Sequence, residues 1–259
     1  MLVFQFLSVL LFSTYGLCQT YDELKTHLPE RPQFNGAMGR YLNYPELVYE
    51  PKVEAVEEFI RIVKGRRSTY DVFQDRITTK LMEYENMFKG HDERMIDCES
   101  ISGYRPLSEW DKNCRFDLMA LGPDCVKQTF YGFDDGQPCI LLSLDRILNW
   151  LPEPYTNETV PDKIRNSWAE FAITVHCEGE DPVTKDNLGD ILYYPPQGFP
   201  FRYFPNTGKE GWKNPLVFVQ LADFSPAIAL RVTCSAYAKN IKHDDMFQTG
   251  KVSFIIMVD

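Results

Sequence analysis

Six cysteines follow an uncharged apolar N-terminus, and that combination constrains this chain more than any other feature. They are Cys98, Cys114, Cys125, Cys139, Cys177 and Cys234; a seventh, Cys18, lies inside the apolar stretch. An even set behind a targeting segment reads as a disulfide framework formed in an oxidising compartment. Six cysteines allow about fifteen connectivities, and chain proximity favours neighbours without selecting one pattern. Bridges joining Cys98 to Cys114 and Cys125 to Cys139 would each be worth about 3 kcal/mol by loop-closure entropy. The run Tyr131-Gly132-Phe133-Asp134-Asp135-Gly136-Gln137-Pro138-Cys139-Ile140 sets a sharp turn directly against one of these cysteines and a buried apolar run.

The N-terminus carries no charged side chain before Asp22. Two readings compete. Gly16 and Cys18 suit the small residues that precede a signal-peptide cut, here before Gln19. As a helix, residues 2–20 would span about 28 Å at 1.5 Å per residue, marginal for a hydrocarbon core of about 30 Å. No basic flank supports an anchor, so the segment alone slightly favours a signal peptide. Both readings put the remainder outside the cytoplasm.

Composition suits a substantial folded domain: 259 residues with a hydrophobic share of 44% are enough for a core. The formal net charge of −10 argues against nucleic acid, which needs basic surface, and against polybasic docking on anionic lipid.

Residues 21–50 read as a stalk, because Pro29, Pro32, Asn35-Gly36, Gly39 and Pro45 break regular elements. From Pro51 the pattern changes. Val53, Val56, Phe59, Ile60 and Val63 recur at helical steps, predicting an amphipathic helix near residues 52–64 that ends at Gly65. A weaker helical pattern covers 70–88 through Phe73, Ile77, Leu81 and Tyr84. Beyond about residue 98 the period becomes two, in 168–177, 228–236 and 252–258, whereas 216–221 is apolar throughout, like a central strand buried on both faces. The predicted fold is mainly β: an antiparallel sandwich over 51–259 with an inserted helix. Cys177 and Cys234 fall on inward positions of two strands; a bridge there would pin them as in immunoglobulin-like sandwiches, worth about 4 kcal/mol.

Catalytic patterns are not found. There is no Gly-x-Ser-x-Gly elbow, no His-Glu-x-x-His, and Gly208-Lys209 lacks the rest of a phosphate loop. His27, His91, His176 and His243 are scattered; His176 and Cys177 are adjacent on a strand and point to opposite faces, so they make no metal pair. Asp134-Asp135 and Asp244-Asp245 read as turn residues. No cofactor or metal is expected. Asn157-Glu158-Thr159 is an N-glycosylation sequon in a polar, proline-flanked loop. Tyr193, Tyr194, Phe199, Phe201, Tyr203, Phe204 and Trp212 crowd a proline-rich loop, where aromatics either return to the core or form a partner surface.

These residues together resemble the beta subunit of sodium/potassium- and proton/potassium-transporting ATPases. The resemblance covers essentially the whole chain. It is densest from Cys114-Arg115-Phe116, Leu121-Gly122 and Cys125 through Tyr131-Gly132-Phe133, Gly136, Pro138-Cys139-Ile140, Leu144 and Arg146-Ile147. It continues in Gly198-Phe199-Pro200, Tyr203-Phe204-Pro205, Gly208-Lys209, Asn214-Pro215-Leu216-Val217, Val219-Gln220, Cys234-Ser235-Ala236-Tyr237 and Asn240-Ile241.

The resemblance implies a non-catalytic, single-pass type II plasma-membrane glycoprotein with an immunoglobulin-like ectodomain. It implies the pairs Cys98–Cys114, Cys125–Cys139 and Cys177–Cys234. It also implies a catalytic alpha subunit as partner, whose folding, delivery and cation affinity the chain assists. The family's Tyr-Tyr-Pro-Tyr-Tyr-Gly-Lys loop faces that subunit; here it is Tyr203-Phe204-Pro205-Asn206-Thr207-Gly208-Lys209, two aromatics fewer. Tyr203, Phe204 and Pro205, with Trp212 and Tyr237, are the expected partner contacts. Aligning Thr20-Tyr21-Asp22-Glu23-Leu24 with the family's post-membrane segment puts Met1 at or just inside the membrane helix. That makes residues 1–20 a signal-anchor whose cytoplasmic tail and basic flank are missing because the sequence is truncated or starts late, and reverses the preference for a signal peptide. The alternative is a secreted or adhesive sandwich glycoprotein of the same family without a pump partner.

Overall fold

Period-two alternation becomes strand wherever a partner strand lies beside it. The computed structural model describes residues 19–32, 44–52, 59–85, 93–244 and 249–259. One sheet has four antiparallel strands in the order β1-β5-β9-β7: β1 Glu46–Glu50, β5 Cys139–Asp145, β9 Leu216–Leu221 and β7 Ile191–Tyr194. The other runs β2-β11-β10-β6-β8: β2 Phe59–Ile62, β11 Lys251–Val258, β10 Leu230–Tyr237, β6 Ala172–Gly179 and β8 Phe199–Pro200. Within it β2 lies parallel to β11 and the other pairs are antiparallel. A small parallel pair joins β3 Met95–Asp97 to β4 Asn113–Arg115.

The two sheets share one apolar core. Tyr49 of β1 meets Phe254 of β11 across it, with ring centroids 5.3 Å apart. β11 alternates buried and half-buried residues from end to end, as its sequence predicts, whereas β9 is buried throughout. Among the described residues three α-helices accompany the sheets: α1 Tyr21–Lys25, α2 Asp71–Glu85 and α3 Pro182–Asn187. α2 realises the weaker helical pattern and buries Phe73, Ile77 and Tyr84; residues 86–88 of that pattern lie outside the described residues. Asp181 caps α3 through the Thr184 amide, with proline at the first turn.

The helix predicted near 52–64 is corrected. Residues 53–58 lie outside the described residues, but 59–62 form β2, where Ile60 and Ile62 are buried and Phe59 and Arg61 exposed. A short apolar run satisfies both periods, and backbone pairing with β11 decides in favour of strand.

The stalk also needs correction where it is described. Thr20 and Glu23 close a capping box on α1, and β1 is a full member of the first sheet. From Gln19 to Arg31 the chain is fastened to the body. Leu24 is fully buried, the Leu107 amide donates to Gln19 Oε1 at 2.9 Å, Asn149 Nδ2 donates to the Glu30 carbonyl at 2.8 Å, and Arg31 Nη2 donates to the Arg146 carbonyl at 2.9 Å. The apolar N-terminus, residues 1–18, lies outside the described residues; among those described, no helix is long and apolar enough to cross a membrane.

Candidate functional site

The cysteines are joined as Cys98–Cys114, Cys125–Cys139 and Cys177–Cys234. Cys177 and Cys234 are register partners on the adjacent strands β6 and β10, with Cα atoms 4.0 Å apart. The bridge therefore lies within one sheet. It pins two strands, as expected, and they are neighbours in the same layer.

The turn that follows Cys125 depends on glycine. Phe130 and Tyr131 both adopt left-handed backbone (φ 53° and 52°), and Gly132 continues it at φ 73°. A Cβ on Gly132 would sit 2.0 Å from the Gln137 carbonyl oxygen, which glycine alone tolerates. The turn buries Tyr131 against Phe218 of β9 and holds its hydroxyl 3.0 Å from Thr78 of α2. Asp134 accepts a hydrogen bond from Tyr70, whose phenol is pushed up to about 12 by burial and then by that carboxylate.

The segment carrying the expected partner contacts turns inward. Phe199, Phe201, Tyr203 and Phe204 are at most 2% exposed, and Pro205 is buried. Phe204 and Trp150 pack as a T-shaped pair, ring centroids 5.6 Å apart. The Tyr203 ring lies against Phe116 at 5.3 Å, and its hydroxyl donates to Glu99 Oε1 at 2.5 Å. Burial and then Glu99 push the Tyr203 phenol upward. Arg202 bonds the other oxygen of Glu99 at 2.8 Å. Tyr193 and Tyr194, read as loop, belong to β7, and Phe199 to β8.

Of the expected partner contacts, Tyr203, Phe204 and Pro205 place their apolar surface on the chain's own core. Tyr237 is also buried, at 9% exposure, in a second, smaller core with Val160 and Ile164. Trp212 is half-buried and donates to Asn214 Oδ1 at 2.9 Å.

Arg105 is a residue that sequence reasoning missed. Its side chain is fully buried between the disulfide loop and the aromatic segment. Nη2 donates to the Pro205 carbonyl at 2.9 Å, Nη1 approaches Cys114 Sγ at 3.4 Å, and its own carbonyl accepts from Trp110 Nε1 at 3.1 Å. Burial lowers its pKa to about 10. Nothing local in the sequence marks this arginine, because its partners are a backbone carbonyl one hundred residues away and a sulfur.

Asn157 is exposed in the loop before β6. His176 is half-buried, its pKa lowered by burial and then by Lys163. Among the described residues no group of three or more His, Cys, Asp or Glu side chains is placed to hold a metal ion. Geometrically this is a scaffold: three bridges, stacked rings and buried polar ties that fix surface loops.

Residues 2–254 match the family model described as "Sodium / potassium ATPase beta chain". The chain belongs to that family. Similar members include the "Probable sodium/potassium-transporting ATPase subunit beta-3" of Caenorhabditis briggsae, 28% identical over 239 residues, 91% of this chain and 72% of the relative. The "Sodium/potassium-transporting ATPase subunit beta-2" of Drosophila melanogaster is 28% identical over 232 residues, 81% of this chain and 68% of the relative. The beta-1 subunit of that fly is 36% identical over a shorter stretch, 52% of this chain and 47% of the relative. In this beta chain the quoted motifs surround the bridges: Tyr131-Gly132-Phe133 makes the turn between Cys125 and Cys139, and Tyr203-Phe204-Pro205 seals the side of the Cys98–Cys114 loop.

Proposed function

We propose that this chain is the non-catalytic accessory beta subunit of a P-type sodium/potassium (or proton/potassium) pump. Residues 1–20 anchor it once in the plasma membrane, and an immunoglobulin-like, glycosylated ectodomain faces the exterior. It assists folding and delivery of a catalytic alpha subunit and tunes its cation affinity. The observation that carries the reading is the match to the beta-chain family over nearly the whole chain. Three disulfides support an exterior domain, since such bridges persist in oxidising compartments.

An accessory chain alters a pump by binding one conformation of it better than another. The half-buried Trp212, beside the buried Tyr203, Phe204 and Pro205, supports a contact along the exposed face of that segment. The test is mild-detergent purification of the full chain, with a large multi-span ATPase expected to copurify. N-terminal sequencing of the same material separates the alternatives. Retained residues 1–18 mean an anchor; Gln19 as first residue, with no ATPase, would make this a secreted or adhesive relative.

A further inference from the structure

The loop that carries the sequon runs directly into a groove without charge. Val160 and Ile164 pack it onto Tyr237, with Tyr155 and Trp168 half-buried alongside. Arg165 draws the sequon close: Nη1 donates to the Asn157 carbonyl at 3.0 Å, and Nη2 to the Val160 carbonyl at 3.1 Å. The next three residues, Asn166, Ser167 and Trp168, form one wall of a groove of about 640 Å³, and β7 with the residues after it forms the other.

The chemistry of that groove is distinctive. In a chain with 25% charged residues, no charged residue lines it. Leu192, 44% exposed, gives apolar surface. Tyr194 is a fixed wall, its hydroxyl donating to Asp124 Oδ2 at 3.1 Å and Gln220 Oε1 at 3.2 Å. Asn166 and Gln197 bring carboxamides, each both donor and acceptor. Flat rings beside neutral donors and acceptors suit a pyranose, which has an apolar face, a hydroxyl rim and no charge; the volume is in the ordinary range for ligand sites. β7 is also an edge strand. Its residues Ile191–Tyr194 include no charge and no proline, the devices that usually protect an edge from pairing with other chains.

We propose that the groove seats the proximal N-acetylhexosamine units of a glycan on Asn157, and that this carbohydrate covers the open edge of β7. The proposal rests on the extracytoplasmic reading of the ectodomain, since only there does the sequon meet the glycosylation machinery.

The test uses the full chain expressed in N-glycosylating cells, with Leu192→Ser and Trp168→Ala variants. Leu192 faces solvent, so its variant reports on the groove even if loss of the Trp168 ring disturbs folding. Release of the glycan by a peptide N-glycanase is timed on folded and on denatured protein. Release from folded protein is expected to be about three- to tenfold faster in the variants, the range one aromatic contact supports, with equal rates after denaturation. Stripping the glycan should lower the wild-type melting temperature by about 2 °C or more and lower that of the Leu192→Ser variant less. Equal native release rates with equal melting shifts would overturn the groove and leave the sequon standing. A wild-type chain with no glycosidase-sensitive mobility shift would overturn both.

Discussion

Replacing Phe204 with alanine separates a core role for the 203–205 segment from a contact role. Phe204 is fully buried in a T-shaped pair with Trp150. Truncating a buried phenylalanine removes its transfer free energy and leaves a cavity, costing about 3–5 kcal/mol. For a chain of this size each kcal/mol shifts melting by roughly 2–4 °C, so a fall on the order of 10 °C is expected. Tyr203→Phe is the graded control. It keeps the ring against Phe116 and removes only the hydroxyl held by Glu99, which retains Arg202; the cost should be about 1 kcal/mol. Both variants are melted as full chain in mild detergent, with disulfides verified by non-reducing peptide mapping, beside a measurement of ATPase copurification. Lost copurification at unchanged melting in Phe204→Ala would refute the core assignment and restore the ring as a partner contact.

Removing the Cys98–Cys114 bridge by paired serine substitution should cost about 3 kcal/mol and speed proteolysis of residues 19–32, because Leu107 inside that loop holds Gln19; unchanged cleavage there would count against the tie. Gly132→Ala should destabilise by more than about 2 kcal/mol, combining left-handed strain with a collision on the Gln137 carbonyl; a denaturant midpoint near wild type would contradict the turn geometry. Tyr70, pushed up to about 12, and Tyr84 and Tyr203, also raised by burial, favour the folded state fully below pH ~10, and that stability is lost as pH rises through their folded values. Absorbance titration should therefore show tyrosines that ionise only with cooperative unfolding; smooth ionisation of all fourteen near pH ~10 with the fold intact would refute the burial argument.

Much of the fold was legible because strand burial is periodic. Residues 252–258 alternate so regularly that one face had to be core, and 216–221 could only be central. The cysteine set read as a bridge framework for a chemical reason, and its pairing came from family resemblance. Where two physical outcomes share one pattern, the sequence was mute. Aromatics in a proline-rich loop fit a core lid as well as a docking surface, and Tyr203 and Phe204 resolved to the lid. Ile60 and Ile62 needed β11 beside them before strand could win over helix. Tyr21, Leu24 and Leu28 stand at helical steps and pack on the core, but three residues in a stretch soon broken by prolines are too short a pattern to read.

The parts that escaped sequence reasoning are connected with one another. The loop closed by Cys98–Cys114 touches the incoming chain at Leu107, where Gln19 is held, and at Tyr104, whose ring lies 6.4 Å from Tyr21. The same loop reaches the aromatic segment through Arg105 on Pro205, through Tyr104 on Phe201 at 5.2 Å, and through Glu99 on both Arg202 and Tyr203. One disulfide loop therefore supports both the strap that follows the proposed anchor and the segment that matches the family's partner-facing loop. The strap is held by Leu107 and Tyr104, and the aromatic segment by Tyr104, Arg105 and Glu99, all of one loop. If residues 1–18 sit in a membrane beside a pump, the strap and the 199–209 segment meet through this one loop. The contacts that join them, a backbone carbonyl on Arg105 and a carboxylate shared by Arg202 and Tyr203, follow no local pattern, which is why sequence reasoning did not announce them.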